Sequence, residues 1–253
     1  MRVELPLADI EQEFERLLNA SREAGLVMRL LGGLAVKRRC PSAEKPPFKR
    51  NYPDLDFAAD RQTGKQLPQW FATMGYTANR NFNTLNGDRR QLYYDEPNQR
   101  QVDVFVGEFE MCHRVSFADR LIEHSETVTL ADLFLTKAQI IQLNRKDALD
   151  LDLLLLDHPI GNSNGDEING SLIADICARD WGIFTTLSLN LERLLTLNQN
   201  DLALVETDRQ VIFERISQLN QLMEKAPKNN SWKLRAKVGK RVKWYTEVEE
   251  VQR

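Results

Sequence analysis

The sequence predicts an α+β protein, in which a small mixed β-sheet core flanked by helices precedes a C-terminal helical domain. Up to about residue 128, apolar and polar residues alternate in short segments with the period of two that strands show. Beyond it, apolar residues recur with the helical period of 3.6. The 253 residues suffice for one large domain or two small ones. We therefore predict an α/β core with an N-terminal helix at 1–128, a helical domain at 129–226 and a basic arm at 227–253.

The composition is that of an ordinary globular protein, with 42% hydrophobic and 28% charged residues. No apolar run approaches the roughly 18 residues that a membrane span needs, and the N-terminal residues lack the apolar core of a signal peptide. The net charge of −3 does not favour nucleic-acid binding by the whole chain. Cys40, Cys112 and Cys177 form no CxxC pair and are odd in number, which argues against a disulfide framework. We expect a cytoplasmic protein that contacts no membrane.

The N-terminal elements follow from apolar spacing and from the positions of glycine and proline. Ile10, Phe14 and Leu17 fall on one face of a helix that Gly25 can end. The predicted elements are a helix at 8–24, a strand at 26–36 that ends in a Gly-Gly pair, a proline-rich loop at 40–53, a strand within 51–60, a helix at 63–76 and a hairpin at 90–107 with its turn at 96–98.

The C-terminal half is predicted to form five helices. Thr129 is a candidate N-cap for the first of them, and Pro227 prevents the last from continuing. The predicted helices are 129–143, 146–158, 171–184, 189–197 and 208–225.

An acid pair interrupts the apolar strand "NYPDLDFAAD". Asp54 and Asp56 lie two positions apart, so their side chains share one strand face with Cα atoms about 6.5–7 Å apart. Two carboxylates in that position repel each other unless a cation lies between them. Mg²⁺ prefers carboxylate oxygens and keeps water positions open for phosphates. The pair therefore indicates a divalent metal site, with exposed acids on an edge strand as the alternative.

A third acid, Asp103, lies mid-strand in "QVDVFV". Its neighbours Val102 and Val104 are apolar, and no basic residue is close to it in the sequence. Because a buried carboxylate needs compensation, Asp103 also indicates a metal or a hydrogen-bond network. Arg89 and Arg90 precede the strand before it; we interpret them as surface charge, with contact to a phosphate or an acceptor as the alternative.

Gly32 and Gly33 follow the first predicted strand, where glycine lets backbone N–H groups approach an anion at the start of a helix. The order strand, Gly-Gly, helix, acid pair and later single acid is similar to that of the DNA polymerase beta-like nucleotidyltransferase superfamily. The resemblance implies that the two glycines hold a nucleoside triphosphate and that Asp54, Asp56 and Asp103 hold two Mg²⁺ ions, with Mn²⁺ as a substitute. It also implies that Asp103 activates the attacking hydroxyl.

The segment "FLTKAQIIQLNRKDALDLDLL" resembles the abortive-infection type II toxin-like members of that superfamily, as does an arginine shortly before the acid pair. The likeness spans about residues 26–157. It implies nucleotide-binding roles for Arg50, Lys137, Asp147 and Asp150. From the residues alone, Lys137 is equally a solvated helix lysine, and the two acids equally favour a helix N-terminus.

The activity that the resemblance implies is transfer of an NMP from an NTP, such as ATP, to a hydroxyl acceptor. The acceptor is RNA, such as a tRNA end, in one hypothesis, and a small molecule of the aminoglycoside kind in another. A third hypothesis is a nucleotide-binding partner protein without turnover. Membership of a toxin–antitoxin pair is a further expectation from the resemblance.

A basic arm at 228–245 carries seven Lys or Arg residues and no acid, interleaved with aromatic residues. Such a segment can bind single-stranded RNA by charge and stacking. In the alternative that we favour, Trp232 and Trp244 pack on the helical part and the charges are solvated.

Overall fold

The structure, a computed structural model, describes residues 5–201 and 203–247 and confirms the predicted α+β class. These residues divide into two compact units. The first unit comprises residues up to Ala35 together with Arg50–Glu110 and Val115–Thr129. The second comprises Val36–Lys49, Met111–Arg114 and residues from Leu130 onward. The predicted domain boundaries stay a prediction, and residues 1–4 and 248–253 of the outer two predicted segments lie outside the described residues.

A five-stranded mixed sheet forms the centre of the first unit. The elements in chain order are α1 (Ile10–Glu23), β1 (Met28–Leu31), α2 (Gly32–Arg39), β2 (Leu55–Ala59), α3 (Arg61–Gly64), α4 (Leu67–Thr73), β3 (Thr77–Ala78), α5 (Arg80–Asn86), β4 (Arg90–Asp95), β5 (Arg100–Val106), β6 (Glu108–Glu110) and β7 (Arg114–Ser116). The strand order is β1-β2-β5-β4-β3, and β2 pairs with β5 in parallel while the other pairs are antiparallel. The parallel pair lies in the interior of the sheet.

The alternation predicted for the acid-bearing strand is confirmed. Leu55 and Phe57 are fully buried, and Phe57 stacks on Phe14 of α1 with ring centroids 6.3 Å apart. The helix α1 begins after Asp9, whose carboxylate accepts hydrogen bonds from two backbone N–H groups of the first turn, and Gly25 follows it with φ +67°. Apolar side chains therefore pack on one face of β2, and the acidic side chain of Asp56 lies on the opposite face.

The predicted order of a strand, the Gly-Gly pair and a helix is confirmed in the first unit. The strand β1 ends at Leu31, and Gly32, with φ +70°, turns the chain directly into α2. The single helix predicted at 63–76 is two helices, α3 and α4. The proline-rich loop is irregular apart from one 3-10 turn at Pro41–Glu44.

The second unit is predominantly helical. Its elements are α6 (Leu130–Ala138), α7 (Arg145–Asp157), β8 (Ile160–Gly161), β9 (Ile168–Asn169), α8 (Gly170–Arg179), α9 (Trp181–Asn200), α10 (Glu206–Lys225) and α11 (Asn230–Val238). The predicted break between 184 and 189 is wrong, since α9 runs through it. The chain breaks instead at Asp180, whose carboxylate caps α9 by accepting hydrogen bonds from the N–H groups of Gly182 and Ile183.

All three cysteines are buried and free, so no disulfide joins them. Within residues 5–201 and 203–247, no helix has the length and apolar character that crossing a membrane requires.

Candidate functional site

The sheet register brings the three predicted acids together on the first unit. In the parallel pair of β2 and β5, Asp56 is the direct partner of Asp103. Asp54 lies directly before the first residue of β2, and its charge acts on the carboxyl of Asp103. Asp103 is 4% exposed. Residues far apart in the sequence therefore bring three carboxylates together at the interior of the sheet.

Arg90 is the counter-ion of Asp103. It projects from β4, the strand on the other side of β5, where Leu92 is the partner of Asp103. Arg90 Nε donates to both carboxylate oxygens of Asp103, at 2.9 and 3.0 Å, and Nη2 donates to Oδ2 as well. The guanidinium carbon of Arg90 lies 5.0 Å from the ring centroid of Phe105, which is a cation–π contact. We call Asp54, Asp56, Asp103 and Arg90 the acid site.

This ion pair corrects one expectation, since Arg90 is a site residue instead of surface charge. For Asp103, it supplies the hydrogen bonds that were one of the two expected forms of compensation. Burial raises the pKa of Asp103 and the charge of Asp54 raises it further, while the hydrogen bonds from Arg90 oppose both effects. The pKa of Arg90 is raised: burial lowers it, but its hydrogen bonds to Asp103 and the charges of Asp103 and Asp56 outweigh that effect.

The two glycines make room for side chains at the start of α2. A Cβ atom on Gly32 would clash with the carboxylate of Asp56, and its φ of +70° also disfavours any other residue. A Cβ atom on Gly33 would lie 2.6 Å from Nη2 of Arg50 and 3.1 Å from the ring of Tyr52. The guanidinium of Arg50 stacks over that ring at 4.2 Å from its centroid. The predicted residues Gly32, Gly33 and Arg50 therefore do lie beside the acids.

Sequence reasoning missed Tyr52, although a signal for it exists. Tyr52, Asp54 and Asp56 alternate with the period of two that places strand residues on a common face. The guanidinium of Arg50, which stacks on the ring of Tyr52, places a positive charge next to Gly33.

The donor set of the acid site can be compared with the predicted metal centre. Asp54 and Asp56 offer oxygen donors of the kind that Mg²⁺ takes. Asp103 has both oxygens engaged by Arg90. Across the described part of the chain, no group of three or more His, Cys, Asp or Glu side chains is arranged so that it could hold a metal ion. The chemistry of Asp54 and Asp56 is therefore that of ligands for a divalent ion, and both this ion and the two-ion centre that includes Asp103 stay predictions.

The remaining predicted residues form a separate cluster in the second unit, which we call the lysine cluster. Lys137 of α6 contacts Asp147 at 2.7 Å and Asp150 at 3.0 Å, both on the first turns of α7. The side chain of Asp150 is fully buried, and that of Lys137 is only 16% exposed. Burial lowers the pKa of Lys137, but the two carboxylates outweigh it and the pKa is raised. Lys137 is therefore not a solvated helix lysine; its nucleotide-binding role stays a prediction.

The basic arm packs on α9 through its aromatic residues. Trp232 meets Phe184 edge to face with centroids 5.3 Å apart, and Trp244 Nε1 donates to Thr186 at 3.1 Å. Residues 230–238 of the arm are helical, as α11. These contacts are those of the packing alternative, and they leave five basic side chains exposed: Lys233, Lys237, Lys240, Arg241 and Lys243.

No protein-family model and no curated protein matches the chain. Fold and site together define the class as an α+β protein that carries two aspartates and one arginine on the interior strands of a mixed sheet, with a third aspartate directly before one of these strands. The likeness to nucleotidyltransferases rests on the pattern of residues.

Proposed function

We propose that the chain is a divalent-metal-dependent nucleotidyltransferase, which moves an NMP from an NTP to a hydroxyl acceptor and releases pyrophosphate. The observation that supports this most is the pairing of Asp56 with Asp103 on parallel strands, with Asp54 beside them and Gly32 against the Asp56 carboxylate. Nucleotidyl transfer depends mainly on positioning and on neutralising phosphate charge, and such a face supplies both.

Asp54 and Asp56 are the residues that would hold the ion, Mg²⁺ or Mn²⁺. When bound, the ion would neutralise charge on the phosphates of the NTP. Arg50, stacked on Tyr52 at Gly33, adds a fixed positive charge where the start of α2 presents backbone N–H groups. We keep Lys137, Asp147 and Asp150 in the proposal as nucleotide-binding residues on the resemblance alone.

Asp103 is proposed to accept the proton of the attacking hydroxyl. The hydroxyl oxygen forms a bond to the α-phosphorus, the bond from that phosphorus to pyrophosphate breaks, and the proton passes to a carboxylate oxygen of Asp103. Arg90 donates only one hydrogen bond to Oδ1 of Asp103, so this oxygen keeps a lone pair that can accept the proton. The raised pKa of Asp103 favours its acceptance of a proton.

Three specific observations bear on the acceptor. The exposed lysines and arginines of the basic arm favour RNA, which we place first. Buried acids of the second unit favour an amine-bearing small molecule of the aminoglycoside kind. The closed Arg90–Asp103 pair favours a nucleotide-binding partner without turnover.

A cytoplasmic location and membership of a toxin–antitoxin pair also belong to the proposal. The three free, buried cysteines support the cytoplasmic location.

The proposal is tested by incubating the chain with Mg²⁺, each labelled NTP, and either total RNA or an aminoglycoside panel. Labelled RNA or a labelled drug would establish transfer and identify the acceptor class. The double variant Asp54→Asn/Asp56→Asn should abolish labelling, whereas Asp88→Asn, at an exposed acid of the same unit, should retain it. NTP binding without pyrophosphate release in every mixture would contradict the proposed turnover.

A further inference from the structure

A cavity of about 400 Å³ lies in the second unit, between the first half of α7 and the C-terminal end of α9. Leucine side chains from three positions form its walls, namely Leu143, Leu149 and Leu197. Its rim carries an ion pair between Arg145 and Asp201, whose Nη2 and Oδ2 atoms are 3.4 Å apart. Neither the acid site nor the lysine cluster contributes a residue to it.

Two buried polar side chains form the floor of this cavity. Asp152 is 4% exposed and Asn198 is 3% exposed. Asn198 Nδ2 donates to Asp152 Oδ1 at 2.7 Å, which fixes both groups. Among residues 5–201 and 203–247, the other two oxygens, Asp152 Oδ2 and Asn198 Oδ1, accept no hydrogen bond. The floor therefore offers two hydrogen-bond acceptors to a ligand of the cavity.

The nearby cations are directed at other groups. Arg145 is at the rim, with a side chain 71% exposed and directed to Asp201. The guanidinium of Arg209 donates to the backbone carbonyl oxygens of Asn198 and Asp201 at 2.8 and 2.9 Å. Burial, with a contribution from Asp201, raises the pKa of Asp152 to about 7. The carboxyl of Asp152 thus has a buried position and a hydrogen bond from an amide, and no cation in contact within the described part of the chain.

We propose that this cavity binds a small organic cation with a primary ammonium group. Its N–H donors would reach Asp152 Oδ2 and Asn198 Oδ1, and its hydrocarbon stem would lie on the three leucines. An ammonium group supplies donors only, which matches a floor of acceptors, while the acid floor disfavours anions. The apolar walls disfavour a bare metal ion, which needs several oxygen ligands. This site does not depend on the proposed nucleotidyl transfer to RNA, and its ligand belongs to the chemical class that the small-molecule acceptor hypothesis names.

The experiment is a titration of the full chain with 1,4-diaminobutane at pH 8, followed by calorimetry and by the NMR signal of the Asn198 side-chain amide. Butane-1,4-diol serves as the neutral probe of the same length. We expect saturable binding of one diamine with a shift of the Asn198 signal, and at least tenfold weaker binding of the diol. A diol that binds as tightly as the diamine, or a diamine that does not saturate, would overturn the proposal.

Two variants locate the binding site. Asp152→Asn keeps the size and the hydrogen bond from Asn198 but removes the charge, and it should weaken diamine binding at least tenfold. Leu197→Trp places a bulky ring at the partly exposed wall of the cavity and should block binding. The matched controls, Asp175→Asn on α8 and Leu234→Trp on α11, change an exposed acid and an exposed leucine elsewhere and should retain the affinity of the wild type. Equal affinity in all four variants would show adsorption to surface acids and overturn the site.

Discussion

The acid site and the lysine cluster both hold buried aspartates, but they balance charge in opposite ways. In the lysine cluster, two carboxylates converge on the single ammonium of Lys137, at 2.7 and 3.0 Å. In the acid site, the guanidinium of Arg90 engages both oxygens of Asp103, and two further carboxylates, Asp54 and Asp56, lie beside this pair. The lysine cluster therefore directs two acids at one cation, while the acid site groups three acids, of which Asp54 and Asp56 are the proposed ligands of a divalent ion. We expect the lysine cluster to contribute to stability, and we propose that the acid site gives up stability for binding.

The largest expected effect is that of Lys137→Met. Losing the ammonium would remove the counter-charge from the fully buried Asp150, and breaking a buried pair of this kind costs about 3–5 kcal/mol. Urea denaturation should show that loss in the free energy of unfolding. The control Lys146→Met, at an exposed position in the first turn of α7, should change it by less than about 0.5 kcal/mol. Similar values for the two variants would break the comparison, since the cluster would then have no structural role.

A smaller loss of stability, about 2–3 kcal/mol, is expected for Arg90→Met, because Arg90 is partly exposed and the freed carboxylate of Asp103 can gain other partners. The same variant should bind Mn²⁺ at least tenfold more tightly, since the guanidinium of Arg90 then no longer competes with the ion for Asp103. Electron paramagnetic resonance of free Mn²⁺ measures this. Arg89→Met, which removes an ion pair with Glu110 at 3.0 Å, is the control and should leave Mn²⁺ affinity unchanged. Unchanged affinity in Arg90→Met would show that Arg90 does not compete with the ion.

Asp152 sharpens the comparison, because it is a buried acid with an amide partner instead of a cation. Its pKa is raised to about 7, so the folded chain keeps a proton that the unfolded chain releases near its ordinary value of 3.8. Folding therefore loses stability as the pH rises from about 4 to 7, with no further loss above that range. Asp201 and Arg145, which face this carboxyl, act in opposite directions and leave burial as the main cause.

Asp152→Asn should consequently be more stable than the wild type above pH 7, by about 2 kcal/mol at 1.4 kcal/mol per pKa unit after partial relaxation. The difference should vanish near pH 4. Thermal unfolding at pH 4, 6 and 8 checks this, with Asp175→Asn as a control at an exposed position of α8. A gain that is constant with pH would exclude titration of Asp152 as its cause.

The smallest expected effect on stability is that of Asp54→Asn/Asp56→Asn. Removing the two charges relieves their mutual repulsion but also removes the attraction of Asp56 for Arg90, so the free energy of unfolding should change by less than about 1 kcal/mol in the absence of metal. Thermal unfolding with and without Mn²⁺ measures it, and Mn²⁺ should stabilise the wild type but not the variant. Stabilisation of both by Mn²⁺ would place the ion elsewhere.

Much of the sheet could be predicted from the sequence, because alternation fixes which residues share a face. The partner of Asp103 was also within reach: a hairpin with its turn after Asp95 pairs Arg90 with Phe105, which places Arg90 diagonally across from Asp103 on the same face. That inference requires the register of the turn, and the local sequence around Asp103 shows only apolar neighbours.

Other features could not be predicted from local patterns. The apolar period runs through residues 171–197, and the helix break at Asp180 depends on the cap that its carboxylate forms. Asp152 and Asn198 are 46 positions apart in the sequence and lie on different helices. Their hydrogen bond therefore depends on how α7 and α9 pack in the second unit.

Anomalous diffraction from crystals soaked in Mn²⁺ and a non-hydrolysable NTP tests the central claim most directly. We predict a manganese peak in contact with Asp54 and Asp56, with the triphosphate at Gly32 and Gly33. Crystals that bind the nucleotide elsewhere, or that show no manganese at the acid pair, would contradict it.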